Sequence, residues 1–331
     1  MSLRYFFILI VARYSSVFCF PTSETEPDYS SGNDLSYLGS SVFGKPSEKT
    51  GEKVENWDAK TGINPEELGE YAEGDILFPD TKTKNGLMAA TYRWPDGVIP
   101  FEIRGSFTKQ ERQFIISAMN MYHKYTCIRF RYRNSSDIDY ISIDNGRSGC
   151  WSSVGRVGGR QTVNLQSPGC LIKIGTVIHE LLHAVGFQHE QNRWERDSYV
   201  DIKWNNIEES RWNNFVKMDK QLAFGYGIPY DYNSVMHYSR KAFSKNGLDT
   251  IIPLVKGSNI GQREGFSKSD IEKVKTMYTC KKIDRTDGGE LLIDETNEVD
   301  NSGGPLGALS SIVSWFLPQD RTTTETTTKN A

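Results

Sequence analysis

No apolar run in this 331-residue sequence reaches the roughly 20 residues that a membrane-spanning helix needs. The run from Tyr5 to Ala12 follows Arg4 and is interrupted by Arg13, and the apolar stretch at residues 306–317 is only twelve residues long. A short apolar run that follows a basic residue and precedes small residues is typical of a secretory signal peptide. We therefore expect a signal peptide over residues 1–19, no membrane span and a secreted, extracellular protein.

Cysteine is scarce, with five residues in the whole chain, and no cysteine-rich module is evident. If Cys19 belongs to the signal peptide, an even number remains, which in a secreted chain predicts two disulfides. Spacing alone leaves three possible pairings. A bond between Cys150 and Cys170 would close a short local loop, so we favour that pair and, with it, Cys127 to Cys280.

Apolar residues are also few for a single core of this length, at 37% of the chain. Residues 20–84 hold 6 Lys and Arg against 14 Asp and Glu, a net charge of −8, whereas residues 85–280 hold 26 against 19, a net of +7. Residues 281–331 hold 5 against 9, a net of −4. The acidic segments are either solvated flanks of a globular domain, or the first of them docks on the basic domain. No nucleic-acid partner is expected.

Composition and patterning predict where ordered structure lies. Residues 21–60 are rich in Ser, Gly, Glu, Pro and Lys, which predicts mostly disordered chain, and the Thr-rich acidic tail after Cys280 also cannot build a core. Between them, strands are expected at Val98–Ile103, at residues 128–132 and 140–144 and in "QTVNLQ". Helices are expected after Thr108 and after Ser267 or Ser269, since each of these residues can cap a helix. The combination of strands and helices predicts an α+β domain between these segments.

Three of the five histidines lie in the stretch "HELLHAVGFQH". On a helix His179 and His183 project from one face, one turn apart, with Glu180 beside them. Gly186 can end the helix and turn the chain so that His189 returns towards the same point. This H-E-x-x-H-x-x-G-x-x-H pattern predicts three ligands for zinc and a carboxylate base. The alternative is an ordinary helix whose histidines are satisfied by hydrogen bonds.

A second segment, "SVMHYS", contains Met236 and Tyr238. Alone it means little, because a Met between apolar residues usually belongs to the core and a Tyr is usually packed. Together with the histidine pattern, it predicts the methionine-containing turn on which such metal sites rest.

The sequence "HELLHAVGFQHEQNRWERD" resembles the signature of the astacin family, one of the metzincins, over about residues 85–280. The Glu at position 190 separates astacins from related branches, whereas Glu195 stands where that family usually has Asp. The resemblance implies a twisted mixed sheet and long helices above an active-site cleft, with a mainly helical part below it. It also implies one Zn²⁺ per chain bound by His179, His183 and His189, Glu180 acting on the water, and Tyr238 as a movable ligand. The same resemblance implies the disulfides Cys127–Cys280 and Cys150–Cys170.

Family members are made as zymogens, and the resemblance extends to the end of their propeptide at residues 71–84. It implies that Asp75 occupies the water position on the zinc, although Ala72 stands where the family's F-x-G-D motif has Phe. By itself an Asp after a Gly is more often a turn residue. A trypsin-like cut after Lys84 would start the mature chain at Asn85, whose amino group would lie near Glu190.

The resulting prediction is a secreted zinc endopeptidase that acts on proteins or peptides, with its own propeptide and an activating trypsin-like protease as partners. Asn134 fits an N-glycosylation acceptor, Asn-Ser-Ser. The rival from another class is a secreted binding or matrix protein that keeps zinc only for structure. Such a protein would be expected to lose Glu180 or Tyr238, and both are present.

Overall fold

The structure is a computed structural model that describes residues 44–78, 93–218 and 225–281. The expected signal peptide, the expected mature start at Asn85 and the tail beyond Lys281 lie outside these residues. The described part separates into an acidic segment, residues 44–78, and a domain that begins at Arg93.

The upper half of the domain is a five-stranded sheet packed on two helices. Its strands are β1 (Val98–Ile103), β2 (Arg129–Tyr132), β3 (Tyr140–Asp144), β4 (Cys150–Ser152) and β5 (Arg160–Leu165), in the spatial order β2-β1-β3-β5-β4. All neighbours are parallel except β4, which runs antiparallel to β5 at one edge. Helices α2 (Lys109–Tyr125) and α3 (Ile174–Val185) share the main apolar core with this sheet. The predicted mixed sheet with long helices is confirmed.

Two helices begin directly after a residue that the sequence offered as a cap, Thr108 for one and Ser267, rather than Ser269, for the other. Thr108 caps α2, its side chain accepts from the backbone N–H of Glu111, and the Glu111 carboxylate accepts in return from the N–H of Thr108. Ser267 caps helix α4 (Lys268–Met277) in the same way with Asp270. These reciprocal bonds satisfy backbone donors that the first turn of a helix leaves free.

The lower half is built mostly of short 3₁₀ turns, followed by α4. It also contains a small antiparallel sheet of β6 (Val200–Ile202) and β7 (Ile251–Pro253), which the sequence patterning did not predict. A second apolar cluster fills this half and includes Tyr238 and Phe215.

Residues 21–60 were expected to be mostly disordered, and for the part that the structure describes, residues 44–60, that expectation is wrong. Helix α1 (Glu48–Glu55) lies on the upper half of the domain, with Val54 buried. A Cβ atom at Gly169 would lie 2.6 Å from a Val54 methyl, and one at Gly149 would lie 2.6 Å from the Thr50 methyl. The two glycines therefore form the notch that receives the helix, and its order comes from docking rather than from an apolar period of its own.

The acidic segment then runs along the open edge of the sheet. Ser152 of β4 donates its N–H to the Asp75 carbonyl at 2.9 Å and accepts from the N–H of Leu77 at 3.0 Å. The bridge between Ile76 and Ser152 is parallel. The segment thus occupies the sheet edge beside the histidine helix.

Candidate metal centre and active site

Helix α3 carries the first two histidines of the pattern. Every residue from Gly175 to Val185 is buried, so packing around the whole helix fixes its rotation. It ends at Gly186, which has a φ of 124° and donates its N–H to the carbonyls of Leu182 and His183. A Cβ atom there would lie 2.6 Å from the Met277 side chain, so this turn requires glycine.

Beyond this turn His189 points back at the helix. Its Nε2 atom lies 3.2 Å from the Nε2 of His179, and the three imidazole centroids are 4.8 to 5.1 Å apart. All three side chains are fully buried. The structure therefore brings the three histidines of the motif together.

The other ring nitrogens are held by hydrogen bonds. The Nδ1 of His179 lies 2.7 Å from the Val235 carbonyl, and the Nδ1 of His183 lies 2.7 Å from the Phe187 carbonyl. Carbonyl oxygens only accept, so both Nδ1 atoms carry a proton, and the Nε2 atoms are the nitrogens that can serve as metal ligands.

Asp75 fills the space between the three imidazoles. Its Oδ2 lies 3.0 Å from His179 Nε2 and 3.2 Å from His189 Nε2, and its Oδ1 lies 3.4 Å from His183 Nε2. Burial opposes ionisation of Asp75, but the charges of His189 and His183 outweigh it and hold the pKa of the carboxyl well below its usual range. Burial likewise disfavours a charged His189, yet Asp75 and then Glu73 raise its pKa to about 9.

These four residues fit a zinc ion. Their candidate ligand atoms all lie within 4.8 Å of one another. His183 Nε2 and Asp75 Oδ1 are both buried and make no hydrogen bond, an arrangement that is unfavourable unless a cation binds them. Three imidazole nitrogens and one carboxylate oxygen are a donor set typical of tetrahedral zinc.

Glu180 is fully buried beside this cluster, and neither of its carboxylate oxygens has a hydrogen-bond partner. Burial, then the charges of Asp75 and Glu66, raise its pKa well above the usual value for Glu, against an opposing effect of Arg263. A buried, unpaired acid is costly to keep in a fold, so this one is placed for a group that binds there.

The Met236 segment lies under the histidines. The Met236 carbonyl accepts from the N–H of Glu190 at 3.0 Å, and the Tyr238 ring lies 4.5 Å from the His189 ring. The Tyr238 hydroxyl donates to the carbonyl of Glu73 at 2.5 Å. Burial, followed by the nearby acids Glu73 and Asp75, raises the pKa of Tyr238 well above its usual range, so it remains a donor.

Glu190 already has three partners in this structure. Its carboxylate accepts from Lys273 Nζ at 2.6 Å, from Arg193 Nη1 at 3.0 Å and from the N–H of Asp231 at 2.8 Å. Glu195, the residue that departs from the family pattern, contacts the other side of the Arg193 guanidinium. Asn85, the expected partner of Glu190, lies outside the described residues.

The remaining predicted positions lie away from the metal centre. The structure contains the disulfides Cys127–Cys280 and Cys150–Cys170, the pairs that the family resemblance implied. Asn134 is exposed in a turn where its side-chain oxygen accepts from the N–H of Ser136 at 3.0 Å.

Three charged residues at the site escaped the sequence reasoning. Glu73 lies 2.7 Å from His189 Nδ1, Lys273 binds Glu190, and Arg263 forms a fully buried ion pair with Glu66. Each contact joins positions more than eighty residues apart, so no local spacing reveals it. Two of these contacts come from the acidic segment, and its net charge was the only sequence feature that indicated them.

Within the part of the chain that the structure describes, no helix is long and apolar enough to cross a membrane.

Comparisons with known proteins agree with this geometry. Residues 87–279 match the family model "Astacin (Peptidase family M12A)". The chain is 41% identical over 216 residues to zinc metalloproteinase nas-7 of Caenorhabditis elegans, covering 65% of this chain and 56% of that protein. It is 39% identical over 216 residues to high choriolytic enzyme 1 of Oryzias latipes, covering 63% of this chain and 78% of that protein.

The solved structure of that hatching enzyme matches with a TM-score of 0.53 and 41% identity, covering 59% of this chain and 94% of that one. The chain spans about half the length of several of the curated relatives it matches. The family model, however, covers more than half of the chain and includes all three histidines. The metal that the three-histidine site fits is accordingly zinc, and the chain belongs to the astacin family, peptidase family M12A.

Proposed function

We propose that this chain is the latent form of a secreted, zinc-dependent endopeptidase that hydrolyses peptide bonds of extracellular proteins. The observation that carries the proposal is the buried carboxylate of Glu180, unpaired and adjacent to His179 in a cluster of three converging imidazoles. A binding protein that used zinc only for structure would gain nothing from such an acid.

In this proposal His179, His183 and His189 hold the metal, which when bound supplies a Lewis acid and lowers the pKa of a coordinated water to about 7. Glu180 takes a proton from the attacking water and returns it to the leaving amine. The Tyr238 hydroxyl donates to the substrate carbonyl oxygen as that oxygen gains negative charge. Met236 and the segment around it support the histidines from below.

The same proposal makes residues 20–84 a propeptide whose Asp75 blocks the centre. A trypsin-like protease would cut after Lys84, and the new amino terminus at Asn85 would approach Glu190. Removal of Asp75 would also remove a negative charge that raises the pKa of Glu180, and this favours the ionised base.

The substrates are proposed to be enriched in acidic side chains. The domain is basic, with a net charge of +7 over residues 85–280. Arg263 lies close to the centre: its charge opposes the rise that burial causes in the pKa of Glu180, and it adds to the lowering that burial causes in the pKa of His179. In the latent form its charge is neutralised by Glu66. When the propeptide leaves, this guanidinium becomes free to bind another carboxylate.

The test is the digestion of a peptide library by enzyme activated at Asn85, compared with Glu180→Ala carried through the same activation. The expected loss is about 10²- to 10⁴-fold, the usual contribution of a general base. Equal cleavage by the two proteins would refute the mechanism, because it would trace the activity to the activating protease or to another group. Cleavage sites without enrichment in Asp and Glu would refute only the proposed preference for acidic substrates and would leave the mechanism standing.

A further inference from the structure

Glu73 is held in a conformation that a side chain rarely adopts. It lies in a tight turn two residues before Asp75, closed by the bridges Tyr71–Gly74 and Ala72–Ile76. Its φ is 47°, in the left-handed region that is sterically unfavourable for a residue with a Cβ. The side chain is also buried, with 4% exposed. Strain and burial together indicate that contacts of Glu73 hold it there.

The Glu73 carboxylate binds one of the three histidines. Its Oε2 lies 2.7 Å from His189 Nδ1, on the side of the ring opposite Asp75. His179 and His183 have their Nδ1 atoms bound by backbone carbonyls of the domain itself. Among these three, only the ring of His189 takes its orienting partner from the acidic segment.

The backbone carbonyl of Glu73 binds a second group of the site. It accepts from the Tyr238 hydroxyl at 2.5 Å. One residue of the segment therefore holds both His189 and Tyr238, through two different atoms. The Asp75 carboxylate, in contrast, contacts the imidazoles on their Nε2 side.

We propose that Glu73 is a second inhibitory residue beside Asp75. Its carboxylate orients His189 for the metal, and its carbonyl keeps the Tyr238 hydroxyl in a hydrogen bond. The inference rests on the proposed function, because it describes how the proposed latent form of the endopeptidase is held. A carboxylate on the far nitrogen of a metal-binding histidine fixes the ring and raises its basicity, and loss of such a partner typically lowers metal affinity 10- to 100-fold. The latent form therefore holds zinc more tightly than the activated form, and release of the segment removes both restraints at once.

The contacts of Glu73 also compensate for the Phe that this chain lacks in the F-x-G-D motif. Ala72 occupies the position where a large Phe side chain was expected, and its methyl group provides little anchoring surface. The Glu73 contacts provide an attachment at the neighbouring position instead.

The experiment measures the rate at which the intact, full-length zymogen loses zinc to a chelator. Two variants remove the carboxylate: Glu73→Gln keeps the size of the side chain, and Glu73→Gly relieves the positive φ while keeping the carbonyl that binds Tyr238. Both are expected to lose zinc at least 10-fold faster than the wild type. If both variants lose zinc at the same increased rate, the cause is the loss of the carboxylate, and neither a change in backbone strain nor misfolding explains it.

The matched control is Glu70→Gln. Glu70 belongs to the same segment but forms ion pairs with Lys49 and Lys53 instead of contacting the centre, so its variant should lose zinc at the wild-type rate. Once the cut segment has been separated from the domain, all four enzymes are identical from Asn85 onward, so their zinc loss and kcat/KM should coincide.

Wild-type rates of zinc loss from both Glu73 variants would overturn the inference, as would an equal acceleration in Glu70→Gln. An inactive wild-type enzyme after activation would instead refute the proposed function. It would leave the zinc measurement intact, because that measurement needs no peptidase activity.

Discussion

Two fully buried histidines of this chain have pKa values shifted in opposite directions. His189 has carboxylates on both ring nitrogens, from Asp75 and Glu73, and its pKa is raised to about 9 despite burial. His237 bonds only to uncharged groups, the Tyr230 hydroxyl at 2.6 Å and the Tyr238 carbonyl at 2.8 Å. Burial therefore dominates and lowers the pKa of His237 to about 4.

The neutral His237 should make the fold sensitive to acid. Its pKa is lower in the folded state than the unfolded value of about 6.5, so the unfolded chain binds the proton first as the pH falls. Stability is thus lost progressively between about pH 6.5 and pH 4, by on the order of 3 kcal/mol for this residue. Urea unfolding of the zymogen at pH 7 and pH 4 should show this loss in the wild type and a smaller loss in His237→Gln.

Protonation of the zinc-binding histidines affects both proteins, so it cancels in the comparison. A difference in unfolding free energy between wild type and His237→Gln that stays constant from pH 7 to pH 4 would contradict the assignment.

At the scale of elements, helix α4 supports two of the three histidines through one buried face. Asp270 accepts from the Ser234 hydroxyl at 2.6 Å and from the N–H of Val235 at 2.9 Å, and the Val235 carbonyl in turn binds His179. One helical turn later, Lys273 binds Glu190, the residue after His189. The helix thus stabilises the two loops that orient these histidines.

Substitution of Lys273 tests this support. In the full-length, uncut chain, Lys273→Met should lower the free energy of unfolding by about 3 kcal/mol, because it leaves the buried Glu190 carboxylate with Arg193 as its remaining cation. Lys275→Met is the matched control, since Lys275 is exposed on the same helix and should change stability by less than about 0.5 kcal/mol. Lys273→Arg should restore most of the loss.

The same variant tests the proposed contact between Asn85 and Glu190. If the new amino terminus reaches Glu190 after activation, it supplies the missing positive charge, and Lys273→Met should destabilise the activated enzyme less than the zymogen. An equal penalty in both forms would show that the terminus does not approach this carboxylate.

Elements with their own end signals were predictable from the sequence, and the element that depends on a partner surface was not. Helices α2 and α4 begin at Thr108 and Ser267 as their capping boxes indicate. Helix α1 has a cap at Ser47 too, but it buries only Thr50, Gly51 and Val54, which is too little apolar surface to predict order. Its stability comes from the Gly149 and Gly169 notch, which lies about a hundred residues further along the chain.

At the scale of the whole molecule, the local motif predicted the three histidines that the structure brings together, whereas the groups around them required the three-dimensional structure. H-E-x-x-H-x-x-G-x-x-H encodes its geometry within eleven residues, since helix periodicity and one glycine suffice. Glu73, Lys273 and Arg263 act across long separations, and the sequence indicated only that an acidic segment precedes a basic domain. In the structure, acidic residues of the segment form ion pairs with basic residues of the domain, and these pairs differ widely in burial.

Two of these pairs form a matched set, because each joins a carboxylate of residues 44–78 to an arginine of the domain. Glu55–Arg147 is exposed, with 53% and 64% of the side-chain surfaces accessible, whereas Glu66–Arg263 is completely buried. Exposed pairs contribute about 0 to 1 kcal/mol, and loss of one partner of a buried pair costs about 3 to 5 kcal/mol. The buried pair should therefore dominate the hold of the segment on the domain, although both pairs contribute equally to net charge.

The proposed cut between Lys84 and Asn85 would leave both pairs intact, so in this proposal the cut segment should remain bound and continue to inhibit until it dissociates. With Glu66→Gln, dissociation after the cut should be at least 100-fold faster, the factor that about 3 kcal/mol corresponds to. With Glu55→Gln it should change less than about 5-fold. Gel filtration and the time course of peptidase activity after activation measure this release. If raised salt accelerated release and both variants behaved alike, long-range charge attraction would hold the segment, and the buried pair would only fix its register.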